Sequence, residues 1–305
     1  MNNYSRRDAV KLSLAAGGSL GLILADTGAA AAVTGDAVAR LGLDDPSARS
    51  RLLAKLRGSV AEQTVYTFCR LHLFLWLNEG NLKPMLSMQN LNATHWRPLS
   101  TGNFEGTMYE VGVYTEFDTD NVIESWANPV TGDKREVWDF RSGPQKLEMG
   151  ANGLITHAAA MLKPKEMRID VLGETLLSAN YSALAFPNPL AADKWPKEAG
   201  APTFYWDSHY LFAASVKDLL NPRLNSAPAT VQFQNMVSFH PWLGMGQHAG
   251  RTYGRGLGAK LRSLDELPRG ARAALQKRTP EIFDLPNWKP VGNDFAEFTR
   301  QRKPT

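Results

Sequence analysis

The stretch FYWDSHYLF (204–212) carries the residues best suited to chemistry. On a strand, Tyr205, Asp207 and His209 project to one face, and Phe204, Trp206, Ser208, Tyr210 and Phe212 to the other. A carboxylate two residues from an imidazole sets its tautomer and raises its basicity, which makes a general acid/base near neutral pH. The pattern predicts His209 as the base, Asp207 as its orienting partner and Tyr205 as a phenolic donor. The same alternation also describes the outward polar face of an edge strand, and both readings stand.

Other residues suit binding. Arg70 and His72 sit among aromatics in TVYTFCRLHLFLW (64–76), where a basic group in an aromatic wall suits a ring carrying a carboxylate or oxyanion. The alternative there is a buried ion pair beneath an aromatic core. On the glycine-rich loop, Arg251 or His248 is expected at a pocket rim, with Arg251 and Tyr253 as substrate contacts. Trp138 lies in WDFR (138–141), where Asp139 and Arg141 share a face and suit a same-face ion pair or a substrate contact. His209, His240 and His248 give a metal alternative, with no spacing to support it; no metal or other cofactor is otherwise expected. TYGRGLGAK (252–260) lacks the Walker spacing and reads as a turn with positive φ values. There is no G-x-S-x-G, no H-E-x-x-H and no dinucleotide fingerprint between strand and helix.

These side chains must be held by something. SARSRLLAKLR (47–57) has helical spacing at Leu52, Leu53 and Leu56. From residue 64 the period changes to two, with aliphatic odd positions and aromatic or polar even ones, which favours a strand over a leucine-rich helix. Further strand patterns run at 107–117, 167–186, 203–214 and 229–239, with a hairpin over 121–140 around NPVTGDK. Ser263 and Glu266 have the spacing of a capping box opening a helix, and PEIFDLPNWKP (280–290) reads as an extended arm. Many strands without helical crossovers predict a mainly β, antiparallel, barrel-like (calycin-like) sheet, with helices at the N- and C-terminal ends.

Two blocks carry a family resemblance. Trp126-Ala127-Asn128-Pro129 with Thr131-Gly132 is one, and Pro241-Trp242-Leu243 with Met245-Gly246, Gly250, Gly258 and Lys260 is the other. Together they resemble the DUF1838 family, whose members often follow twin-arginine signals. The resemblance spans roughly 48–300 and implies a single domain, but it assigns no catalytic residue. The segment Asn293–Phe298 departs from the family's usual N-x-T-S-W ending.

The N-terminus reads as an address. Arg6 and Arg7 precede an apolar run from Leu12 to Ala25 and a small-residue end at Ala29 to Ala32. Ser5-Arg6-Arg7-Asp8-Ala9-Val10-Lys11 resembles the twin-arginine (Tat) signal, and the run falls short of the roughly 20 apolar residues that span a bilayer. Residues 1–32 are therefore expected to be a cleaved signal, engaged by the Tat translocase, and 33–305 a single periplasmic or secreted domain without a stable membrane anchor. The formal net charge of +4 is no nucleic-acid footprint. Cys69 is the single cysteine, so no internal disulfide forms, and its apolar setting reads as core. The expected function is a cofactor-independent enzyme of lyase or isomerase type acting on a small aromatic molecule, with Arg70 or Arg251 as anion clamp. The alternative is a lipocalin-like carrier using the same cavity.

Overall fold

The computed structural model describes residues 36–77, 80, 82–156, 168–288 and 295–304. Residues 1–32, expected above to be a signal, and Asn293–Asp294 lie outside the described residues. A helical turn over 36–41 leads to α1 (Pro46–Arg57), whose N-cap Asp45 accepts from the backbone of Ser47 and Ala48. Three long strands follow: β1 (Gln63–Leu77), β2 (Lys83–Pro98) and β3 (Phe104–Thr115). A hairpin of β4 (Ser125–Ala127) and β5 (Lys134–Glu136) stands apart from them. The chain continues through β6 (Phe140–Gly150), β7 (Gly153–Thr156), β8 (Arg168–Leu172), β9 (Thr175–Pro187) and β10 (Thr203–Ser215). Short α2 (Val216–Leu220) precedes β11 (Thr230–Val237) and β12 (Gly250–Leu261), and α3 (Arg269–Arg278) and α4 (Phe295–Gln301) end the chain.

Ten strands form one antiparallel sheet in the order β7-β6-β3-β2-β1-β12-β11-β10-β9-β8. The two edge strands, β7 and β8, do not pair, so the sheet is an open half-barrel. Its curl is shown by what meets inside: side chains of β3 and β10, far apart in strand order, line one cavity. The mainly β, barrel-like expectation with terminal helices is met, and the hairpin over 121–140 forms as β4–β5.

Helix α1 closes the concave side. Leu52 and Leu56 pack with Cys69, Leu71 and Phe212, whereas Leu53 and Ala54 pack with Trp96, Phe104 and Met149. A 12-residue helix presenting leucines in both directions is held by burial on two sides rather than by amphipathic docking on one. Helix α3 covers the convex side, where Ala271, Ala274 and Leu275 meet Phe68, Leu91, Val111 and Val113.

Two local expectations are corrected. TYGRGLGAK is not a turn: it lies within β12, and none of its three glycines has a positive φ. Gly254, Gly256 and Gly258 alternate on the concave face, and a Cβ on Gly258 would stand 1.8 Å from the Phe68 carbonyl oxygen. These glycines let the sheet bend tightly over β1. The capping-box spacing at Ser263 opens only a 3-10 turn (Leu264–Glu266). There the Glu266 carboxylate accepts from the Arg262 backbone, and the helix starts beyond Pro268.

Candidate functional site

Strand alternation decides what faces inward. On β10, Phe204, Ser208 and Phe212 are buried, and they share the concave face with Trp206 and Tyr210. Tyr205 and Asp207 are exposed on the opposite face with half-buried His209. None of those three lines a cavity described here, so the predicted base and its partner stand outside the interior. Both faces of β10 mix aromatic and polar residues, and the curl of the sheet selects between them.

The interior is a chain of three compartments. The first, ≈ 220 Å³, is walled by Trp96, Met108, Leu147, Leu154 and Phe212, with Arg57, Asn90, Asn92, Thr94 and Asn180 among its polar groups. The second, ≈ 90 Å³, is lined by Tyr114, Phe233, Asn235, His240, Trp242 and Thr252, among others. The third, ≈ 200 Å³, is aromatic, with Trp138, Phe186, Phe204, Trp206, Phe295 and Phe298. Asn90, Glu110, Ser208 and Tyr210 border both the first and the second, so these four polar side chains form the neck between them. Tyr114, Trp206, His240 and Trp242 join the second to the third.

Glu110 is the carboxylate of this neck. It shares the concave face of β3 with Met108, Gly112 and Tyr114, and Asn90 Nδ2 donates to its Oε1 at 3.0 Å. Burial pushes its carboxyl above the usual carboxylate range, with the Asn90 bond pulling the other way. Tyr210 stacks on Phe233 with ring centroids 4.3 Å apart; burial, and then the nearby Glu110, raise its phenol well above its ordinary value. Ser208 and Ser182 meet hydroxyl to hydroxyl at 2.8 Å. Cys69 lies beside them, its thiol pushed up to about 12 by burial and Glu110, and it has the character of a core residue, not a nucleophile.

Arg57, the last residue of α1, enters the first compartment from the side. Its guanidinium lies over the Phe212 ring at 4.5 Å, and Nη2 makes long bonds to Ser178 O (3.4 Å) and Asn180 Oδ1 (3.3 Å). Burial lowers its pKa to about 9. Four enclosed polar atoms of the cavity wall have no hydrogen-bond partner among the described residues: Arg57 Nε, Trp96 Nε1, Asn235 Oδ1 and Thr252 Oγ1. These atoms are packed into the wall: Trp96 Nε1 lies over Gly58, and Asn235 Oδ1 over Gly254. Further along, His240 sits between Phe204 and Trp206, and burial lowers its pKa to about 4, leaving it neutral at pH 7.

The remaining predicted residues are dispersed. Arg70 pairs with Asp120 (2.5 Å) and His72 with Asp118 (2.8 Å), and neither lines any of the three compartments. Arg251 stacks over Tyr205 at 4.5 Å and Tyr253 carries Arg255 at 4.9 Å, so these two belong to an aromatic and cationic layer outside the cavity. Trp138 does line the interior, in the third compartment against Phe298. Asp139 and Arg141 do not pair with each other: Asp139 binds Arg278 (2.6 Å) and Arg141 binds Glu281 (2.7 Å). The three histidines do not converge, since His248 Nδ1 is engaged by Met245 O at 2.7 Å while His209 and His240 lie on opposite faces. No group of three metal-ligating side chains occurs among the described residues.

The two sequence blocks around Asn128 and Trp242 pack on each other. Asn128 Nδ2 donates to Leu243 O (2.9 Å), and its Oδ1 accepts from Val130 and Thr131. Trp126 and Tyr114 both contact the Trp242 ring. The hairpin thus braces the turn that carries Trp242 into the cavity.

Fold and interior together define a single open half-barrel enclosing a polar-necked, aromatic-ended cavity. The family model described as a protein of unknown function, DUF1838, matches residues 62–300, and the chain belongs to that family. No curated protein matches the chain.

Proposed function

We propose that this is an extracytoplasmic enzyme, delivered by the Tat route that its N-terminal residues resemble. It acts by cofactor-independent acid/base chemistry on a small molecule, lyase or isomerase in type, held in the concave cavity. The observation that carries the reading is Glu110, a carboxyl with a raised pKa at the neck between two compartments, beside the Tyr210 phenol. Perturbed titratable groups converging in an enclosed cavity are what proton-transfer sites require. The compartments together fall within the range of about 300–1,000 Å³ that ligand pockets occupy.

In this reading Glu110 takes a proton from a carbon next to a ligand carbonyl, and the electron pair moves to the oxygen as an enolate. The Tyr210 hydroxyl donates a hydrogen bond to that oxygen. Return of the proton at another carbon completes an isomerisation, and expulsion of a leaving group completes an elimination. Aromatic walls at both ends favour a ring-bearing substrate.

The test is to identify small molecules released on denaturing the purified protein, then incubate each with fresh protein in D2O and follow it by NMR. Deuterium incorporation or product formation with wild type is expected. Its loss in Glu110→Gln, with binding retained, would support the assignment. A ligand that binds and stays unchanged would make the protein a carrier and overturn the catalytic role.

A further inference from the structure

We infer that Arg57 is the anchor for a ligand carboxylate, so that the cavity selects a compact ring-bearing monocarboxylate over its neutral analogues. This rests on the reading of the concave cavity as the ligand site. Arg57 is only 8 % exposed and lines the first compartment. No carboxylate forms an ion pair with it among the described residues, although most other buried or half-buried arginines here have one: Arg135 with Glu198, Arg141 with Glu281, Arg278 with Asp139. Buried charges are ordinarily paired, and an unpaired one is expensive. The missing counter-ion is supplied by whatever fills the compartment.

Geometry narrows the group. One face of the guanidinium is spent on Phe212, which leaves its edge for hydrogen bonds, and Nε on that edge has no partner. The two bonds that Nη2 does make are long, at 3.3 and 3.4 Å. A guanidinium that lines the compartment, with its Nη2 only weakly engaged, suits a carboxylate. Trp96 closes the same wall, its indole packed over Gly58. Around the anchor stand Met108, Leu147, Leu154 and Phe212, which suit an apolar body. A volume of ≈ 220 Å³ in this compartment favours a ring over a long chain. The position of Arg57 is itself fixed, because Lys260 Nζ binds the carbonyls of Leu56 and Gly58 on either side of it.

The experiment uses matched probes that differ only in charge: phenylacetate and 3-phenylpropanoate, each against its primary amide, with decanoate and its amide as the chain-like pair. Binding to the full-length protein, to Arg57→Met and to Arg57→Lys is read by calorimetry and ligand-observed NMR. Wild type should bind a ring-bearing acid about tenfold or more tighter than its amide. Arg57→Met should erase that preference while amide affinity stays within about twofold, and Arg57→Lys should keep part of it. Equal binding of acid and amide by wild type, or a preference that survives Arg57→Met, overturns the anchor and leaves the cavity reading intact. A preference for decanoate over both ring acids overturns the compact-ring assignment. Failure of every acid and amide to bind removes the cavity reading itself. Should Arg57→Met not fold, the wild-type pairs and Arg57→Lys decide the question alone.

Discussion

Lys260 Nζ donates to the carbonyl oxygen of Gly58 at 3.0 Å, joining strand β12 to the residue that ends helix α1. The same Nζ binds Lys55 O and Leu56 O, both at 2.9 Å. These carbonyls are the free end of the helix, where the helix dipole and the acceptors favour a cation, while burial and then Lys55 push the Lys260 pKa well below the ordinary lysine value. Lys260→Met keeps the stem and removes the donor, which strands the Leu56 and Gly58 carbonyls in the interior, while Lys55 O keeps the Ala227 N–H. We expect a loss of about 3 kcal/mol in urea unfolding, and weaker ligand binding because Arg57 is no longer fixed.

The glycines of β12 give a graded pair of substitutions. A Cβ on Gly258 would meet backbone, the Phe68 carbonyl oxygen, which cannot move without breaking the β1–β12 pairing. A Cβ on Gly254 would meet the Asn235 Oδ1 at 2.1 Å, the end of a side chain. Gly258→Ala should therefore cost about 3 kcal/mol or more, and Gly254→Ala about 1–2 kcal/mol. Equal effects in chemical denaturation would show that the curl of the sheet does not depend on close approach at Gly258.

The same contrast explains what could be read from the sequence. Period-two alternation identified the strands and sorted β10 into its two faces, because that pattern is local. Which face turns inward depends on curl, set by glycines on β12 and by the docking of α1, both distant from β10 in the chain. Hence Asp207 and His209 stood out as a motif yet lie opposite the cavity. Arg57 resembled an ordinary basic residue in the last turn of a helix, and its burial comes only from the helix entering the half-barrel. Glu110 did leave a signal: in TMYEVGVYTEF it shares a face with Met108, Gly112 and Tyr114, and the other carboxylate of that parity, Glu116, falls beyond the end of β3. Lys260 was visible as part of the family-like block, but its task as a helix cap requires the pairing of β1 with β12.

Glu110→Gln separates chemistry from stability. The folded carboxyl titrates above its unfolded value because burial disfavours the charge. Its contribution to stability is thus present below the unfolded pKa and is lost as pH rises through the folded one. Gln is isosteric and neutral, keeps an acceptor for Asn90, and removes this loss. The variant should melt at a higher temperature than wild type at pH 8 and at the same temperature at pH 4, while any turnover disappears. A lower melting temperature at pH 8 would show that the carboxylate is stabilised by the neck instead of being strained in it.

His240 works in the opposite direction. It is enclosed by Phe204, Trp206 and the Trp242 turn, and burial brings its pKa from 6.5 down to about 4. Between those values the unfolded chain binds a proton that the folded chain refuses, so stability rises with pH across the window and is lost as pH falls from 6.5 towards 4. Integrated over that interval, the penalty on acidification is about 3 kcal/mol. His240→Asn keeps a polar side chain at the junction of the second and third compartments and has nothing to titrate. Its unfolding free energy should be flatter than that of wild type from pH 6.5 to 4, the two curves differing by about 3 kcal/mol more at pH 4 than at pH 7. Parallel curves would mean that His240 is protonated in the folded protein, and that water reaches it between the aromatic rings.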